Sequence, residues 1–304
     1  MDKILVLRFS SLGDVVLTST VLRPLHEAGF DVYLMTYKAF ANMFEDSSFV
    51  SVLPVDKLNI FDVAKSLKPD IVVDLHKNLK TLMLRNMLKT KWLSYDKRSF
   101  QRRFCVWFKA FKDKTFYITD AYAEAVKPLV DIKSPRPYLE IKPDRVNGFY
   151  SPKKVISLGV GARYPKKRYK YFKELSKLFV EAGFEVRLLG AKEDKIDAYG
   201  FDYTGKLSLI DTLACIKASN LVLSNDSSIT HMARAAGIKV VSIYGATHPC
   251  FGFAPKDFEG IAISKYMPCK PCDLHGKGSC NYGDYPCLDI DPKYIYDIAV
   301  SLLD

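Results

Sequence analysis

Two hexapeptides 154 positions apart constrain this chain more than any other feature. Glu27-Ala28-Gly29-Phe30-Asp31-Val32 is nearly repeated as Glu181-Ala182-Gly183-Phe184-Glu185-Val186. Each copy reads as the end of a helix that stops on glycine and passes directly into a strand. A continuous apolar strand, a polar turn and a helix precede each copy: Ile4-Leu5-Val6-Leu7, Phe9 to Asp14 and Val15–Ala28 in one half, Val155-Ile156-Ser157-Leu158, Gly159 to Arg168 and Tyr169–Ala182 in the other. Apolar strands alternating with helices imply parallel sheets covered on both faces. The expectation is α/β, two tandem Rossmann-like doubly wound domains.

Further strands are expected at Asp31–Met35, Val50–Val55, Asp70–Leu75, Lys91–Tyr95, Val186–Leu189, Leu221–Leu223 and Lys239–Tyr244. Helices are expected at Ala39–Phe44, Leu58–Leu67, Asn78–Lys89, Phe100–Phe111, Asp120–Val130, Leu209–Lys217, Thr230–Ala236 and Pro292–Leu303. Prolines 128, 135, 137, 143 and 152 interrupt the pattern and mark a linker. The domains are therefore drawn as 1–148 and 149–304, with the last helix able to pack back on the first. Ligands of open α/β sheets bind beyond the carboxyl ends of the strands, so a cleft between two such domains is the expected site.

The turn Ser224-Asn225-Asp226-Ser227-Ser228 follows a strand and opens a helix that closes on Gly237. Backbone N–H groups at such a helix start suit a phosphate, although the same residues also serve as ordinary caps. The net charge of +11 favours anionic partners. It is concentrated at Lys97, Arg98, Arg102, Arg103, Lys109, Lys112 and Lys114, interleaved with Phe100, Phe104, Trp107, Phe108 and Phe111. That segment reads either as a face for an anionic surface or as an amphipathic helix with a core stripe. No apolar run reaches the length of a membrane span, and Met1-Asp2-Lys3 leads into too short an apolar stretch for a secretory signal. A cytoplasmic location is the resulting expectation.

Cys269, Cys272, Cys280 and Cys287 form the other constellation. Four thiols beginning with C-x-x-C fit a structural zinc, but free thiols and disulfides remain open, since the spacing departs from the usual paired knuckles. Neither domain's first strand is followed by G-x-G-x-x-G, which counts against an NAD-dependent oxidoreductase. A basic nucleic-acid-binding protein is the other alternative, and it lacks a recognisable module.

Five segments, in order, resemble the heptosyltransferases of glycosyltransferase family 9. They are Phe9-Ser10-Ser11-Leu12-Gly13-Asp14-Val15-Val16; Asp74-Leu75-His76-Lys77-Asn78-Leu79-Lys80; Gly161-Ala162-Arg163 through Lys167-Arg168-Tyr169; Asn225-Asp226-Ser227-Ser228 with His231; and Tyr244-Gly245-Ala246-Thr247-His248-Pro249. The resemblance implies a GT-B fold and inverting transfer of heptose from ADP-heptose to the lipopolysaccharide inner core, a Kdo/heptose acceptor on lipid A. It implies Asp14 as general base and Lys167, Asp226, Ser227, Ser228, His231, Gly245 and Thr247 on the donor, with Asp211 near its ribose. Ser228 stands where the family often has glycine, and Asp211 where it often has glutamate. Ser10, Ser11, His76, Arg98, Arg102 and Arg103 are the acceptor candidates. No cofactor is expected for catalysis, a structural zinc is one reading of the cysteines, and no nucleic acid is expected. The enzyme is placed at the cytoplasmic face of the inner membrane, peripheral on its anionic surface.

Overall fold

The structure, a computed structural model, describes residues 1–109 and 116–303. It divides into two compact units. One comprises Met1–Lys97 with Ile118–Lys142, the other Arg98–Tyr117 with Pro143–Asp304.

The first unit begins β1 (Lys3–Leu7), α1 (Leu12–Glu27), β2 (Asp31–Tyr37), α2 (Lys38–Ala41), β3 (Ser51–Val55), α3 (Ile60–Leu67), β4 (Ile71–Asp74), α4 (Leu79–Met87) and β5 (Lys91–Ser94). Its five strands lie in the order β3-β2-β1-β4-β5, and every pairing is parallel. Parallel neighbours need a crossover, and each helix supplies one. Because both faces of the sheet are covered, Leu5, Leu7, Met35 and Val72 reach full burial and pack with Val55, Ile60 and Leu84. The region expected to be helical at 39–44 forms only the single turn α2 and a 3₁₀ turn, Asn42–Phe44.

Helix α5 (Ser99–Phe108) belongs by its contacts to the second unit, although it lies in the first half of the sequence. The guanidinium of Arg102 lies over the rings of Phe116 and Phe253, and Cys105 Sγ is 3.3 Å from Cys250 Sγ. Phe111, Lys112 and Lys114 of the basic run lie outside the described residues. The chain returns to the first unit as α6 (Ile118–Val126), which packs along α1.

The second unit continues with α7 (Pro143–Asn147), β6 (Val155–Gly159), α8 (Phe172–Glu181), β7 (Glu185–Leu189), β8 (Phe201–Asp202), α9 (Leu209–Lys217), β9 (Leu221–Asn225), α10 (Ser228–Ala236), β10 (Val240–Ile243), β11 (Gly260–Ile263) and α11 (Pro292–Ser301). The strand order is β11-β10-β9-β6-β7-β8, again all parallel. Renumbered from β6, this is the 3-2-1-4-5-6 arrangement of a doubly wound sheet, and the first unit repeats it without the sixth strand. In each unit the strand order reverses between the first and fourth strands. The crevice beyond their carboxyl ends, β1 with β4 and β6 with β9, is where such sheets take ligands. The last helix, α11, packs on α8 within the second unit.

Candidate active site

In the first unit the crevice is built around Arg8, the residue that ends the apolar run of β1. Its side chain is 7% exposed, and Nη2 lies 2.7 Å from Asp14 Oδ1. Its Nε donates to Ser10 O at 2.9 Å, and Nη1 donates to Leu75 O and to Tyr122 Oη. Burial works against the Arg8 charge, but Tyr122, Asp14 and Tyr95 together raise its pKa. Asp14 lies inside the first turn of α1, which starts earlier than the sequence suggests. Its Oδ2 accepts from Ser11 Oγ at 2.7 Å and from Ser11 N at 3.3 Å. The carboxylate therefore has a capping contact and is also fixed by an arginine from the neighbouring strand.

His76 joins this group from the end of β4. Asp74 Oδ1 accepts from the backbone N–H groups of His76 and Lys77, at 2.9 and 2.8 Å, and folds the turn. The imidazole meets the Phe9 ring edge-on at 5.1 Å between centroids, and its buried Nδ1 has no hydrogen-bond partner among the described residues. Burial and the nearby Arg8 charge push its pKa down to about 4. Arg8 thus links Ser10, Asp14 with its Ser11 cap, and the turn that carries His76, and it is the member the sequence reading missed. A charged residue at the end of an otherwise apolar strand was the available signal.

The second crevice gathers the donor candidates. Lys167 Nζ is 2.6 Å from Asp226 Oδ2, which also accepts from Thr247 Oγ1 at 2.7 Å. Burial alone would raise the Asp226 carboxyl, but the Lys167 ammonium and Thr247 hydroxyl hold it below the ordinary carboxylate range. Ser227 is the N-cap of α10, yet its side chain makes no cap; its Oγ is 3.1 Å from Ser224 Oγ. The first-turn N–H groups, beginning at Ser228, are left without that side-chain partner. His231 is 5% exposed on the same helix, with Nδ1 3.4 Å from Arg234 Nη1.

Asn225, fully buried, ties the loops of this crevice together. Its Nδ2 donates to Val160 O at 2.9 Å and Gly161 O at 3.2 Å, and its Oδ1 accepts from Tyr169 N at 2.8 Å. Its identity in the turn was legible, but its role depends on partners more than fifty positions away. Gly245 allows a second close approach. A Cβ there would collide with Lys166 O, the acceptor for Ala246 N at 3.0 Å, and would meet Leu288 Cδ2 at 2.9 Å.

Three further groups of candidates have partners of their own or positions that the sequence did not indicate. Asp211 lies in the first turn of α9, as expected, but its carboxylate is already engaged: Oδ1 is 3.2 Å from Arg145 Nη1, and Oδ2 accepts from Ser208 Oγ at 2.5 Å. Arg98 and Arg102 stack on Phe116 in the second unit, 4.4 and 5.4 Å from the ring centroid, not in the first domain where sequence order placed them. Arg103, on the same helix, is exposed. Cys269, Cys272, Cys280 and Cys287 line one cavity. However, no three His, Cys, Asp or Glu side chains among the described residues converge to hold a metal. The buried cation of this loop is Lys270, whose Nζ donates to Tyr244 O, Ser264 Oγ and Lys265 O. Burial also pushes the Cys272 thiol up to about 11. The zinc expectation therefore finds no assembled ligand set.

The family model for glycosyltransferase family 9 (heptosyltransferase) matches residues 61–277. The chain belongs to glycosyltransferase family 9. A lipooligosaccharide heptosyltransferase 2 of Haemophilus influenzae is 23% identical over 160 residues, covering 44% of this chain and 46% of that protein. The chain thus spans about half the length of that curated relative. Two solved structures align along nearly its whole length. A glycosyl transferase family 9 member from Veillonella parvula has a TM-score of 0.78 at 22% identity, covering 100% of this chain and 98% of that one. The E. coli ADP-heptose lps heptosyltransferase II has a TM-score of 0.75 at 18% identity, covering 99% and 98%. The fold of this family member is accordingly GT-B, two Rossmann-like units. Among the described residues no helix is long and apolar enough to cross a membrane.

Proposed function

We propose that the chain is an inverting glycosyltransferase that moves heptose from ADP-heptose to the lipopolysaccharide inner core. The observation that carries this reading is the second crevice. There an ammonium (Lys167), a hydroxyl (Thr247) and the open start of α10 lie together beyond β6 and β9. Such a set is suited to the charge that develops on a departing diphosphate. Asp226 orients Lys167 and Thr247; the phosphate is met by the N–H groups from Ser228 onward, with His231 beside them. Gly245 keeps the backbone close, and Asp211 is the weaker candidate for the ribose.

At the first crevice, Asp14 accepts the proton of the acceptor hydroxyl. The acceptor oxygen forms its bond to the anomeric carbon while the bond from that carbon to the ADP oxygen breaks, with inversion. The electron pair leaves on ADP, and no redox partner is required. Ser10, Ser11 and His76 surround the acceptor hydroxyl. Lys167 and the α10 N–H groups supply the charge stabilisation, so the proposed step draws on no cofactor. The acceptor is lipid-borne, which places the enzyme peripherally on the anionic cytoplasmic face of the inner membrane. Family membership favours this reading over an oxidoreductase or a nucleic-acid-binding protein.

The test is incubation with a panel of ADP-sugars and truncated core acceptors, with products read by mass. Heptosylated acceptor is the expected product. Asp14→Asn should lose about 10²–10⁴-fold in turnover while still binding ADP. No product from any ADP-sugar, or wild-type turnover in the variant, would overturn the assignment.

A further inference from the structure

Helix α4 has a second apolar face that the core does not use. Its inner face is Thr81 and Leu84, both buried. Its outer face carries Leu79, Leu82, Met83 and Met87, which are 72%, 53%, 51% and 38% exposed. These positions follow i, i+3, i+4, i+8, a single stripe along the helix. A surface helix in a soluble unit normally turns charged residues outward there, so an apolar stripe of this length marks a contact surface.

The surroundings specify the contact. From Leu75 to Tyr95 the chain has Lys77, Lys80, Arg85, Lys89 and Lys91 and no acidic residue. Arg85, Lys89 and Lys91 are exposed, and Lys80 Nζ lies over the Tyr37 ring at 5.9 Å. An apolar stripe flanked by one sign of charge suits the boundary between acyl chains and anionic headgroups. It suits a second copy of the chain poorly, because an isologous contact would set these bases against their own equivalents.

The location adds a second argument. Asn78 caps α4 by accepting from Thr81 N at 3.1 Å, so Leu79 begins the helix immediately after the His76 turn. Leu75 O of that turn accepts from Arg8, the residue that holds Asp14. The stripe thus starts at the same end of the sheet as the proposed base.

We infer that α4 docks the protein on an anionic bilayer, with Leu79, Leu82, Met83 and Met87 entering the headgroup layer and the flanking bases resting on lipid phosphates. This deepens, and rests on, the reading that the acceptor is lipid-borne. Docking there presents the acceptor sugars to Asp14 without the enzyme having to extract the lipid.

The test is flotation with vesicles of phosphatidylcholine alone and of phosphatidylcholine with phosphatidylglycerol, neither containing acceptor. The wild type should float with the mixed vesicles and much less with the neutral ones. L82Q/M83Q should lose binding to the mixed vesicles by about tenfold or more. R85Q/K89Q should lose the preference for the anionic lipid. Both variants should melt like the wild type and transfer sugar to a soluble, delipidated acceptor at wild-type kcat/KM. A wild type that stays off anionic vesicles, an L82Q/M83Q variant that binds them equally well, or a dimer abolished by L82Q/M83Q would overturn the inference. Failure of every form to act on the soluble acceptor would instead remove the proposed reaction, leaving the vesicle result to stand by itself.

Discussion

Lys167 and Asp226 form an ion pair of 2.6 Å, with side chains only 16% and 10% exposed. Both come from segments singled out for the donor, but they contact each other. A carboxylate this close to a diphosphate would repel it unless its charge were already matched. In the proposed reaction the pair would give Asp226 the work of aiming Lys167 and Thr247, and would leave the approach to phosphate to the ammonium and the helix start.

Removing Lys167 strands a buried carboxylate. Lys167→Ala should cost about 3–5 kcal/mol of stability, seen as a lower Tm, and should weaken ADP binding by more than tenfold in calorimetry. Unchanged ADP affinity would show that the ammonium serves only the fold.

Arg8→Met should separate positioning from donor binding. It leaves Asp14 without its guanidinium and removes the donor to Leu75 O and Tyr122 Oη. A stability loss of about 2–4 kcal/mol is expected. Turnover should fall by an order of magnitude or more, while ADP affinity, measured separately, stays at the wild-type value.

His76 sets a pH dependence. The folded imidazole titrates near 4, while an unfolded one takes its proton below about 6.5. Between those values the unfolded chain binds more protons, so stability falls as pH is lowered from about 6.5 to about 4. Melting temperatures measured across that range should decline in the wild type and flatten in His76→Gln.

Gly245→Ala should damage the donor loop through the backbone. The added methyl meets Lys166 O and forces apart the hydrogen bond from Ala246 N. A drop in Tm together with weaker ADP binding is expected. Wild-type values for both would mean that this strand end can shift at no cost.

Much of the architecture was legible because parallel sheets covered on both faces write themselves as apolar runs. β1, β4, β6 and β9 were all visible in that way, and the glycine-closed helices before β2 and β7 gave the repeat. What escaped depended on contacts distant in sequence. β11 has an exposed Ile261 and pairs along one edge only, so its apolar signal is short. The two-residue β8 and the five-residue α7 are too brief to show periodicity. Helix α5 was expected beside its sequence neighbours, but Phe253 and Cys250 attach it to the other unit. At the site, Asp14, Lys167, Asp226 and Thr247 could be nominated from their motifs. Arg8 was not nominated, and the tying role of Asn225 was not legible although its motif was, because the distant partners Leu75, Tyr122, Val160 and Tyr169 are connected to them by no local spacing.

Asn225 makes one amide responsible for three loops. With Val160, Gly161 and Tyr169 all bonded to it, the turn after β6, the entrance to α8 and the turn before α10 share a hinge pin and cannot drift independently. A nucleotide bound there, as proposed, would meet a surface already set to a single shape, so the ordering entropy of the three loops would be spent during folding and not at each catalytic cycle.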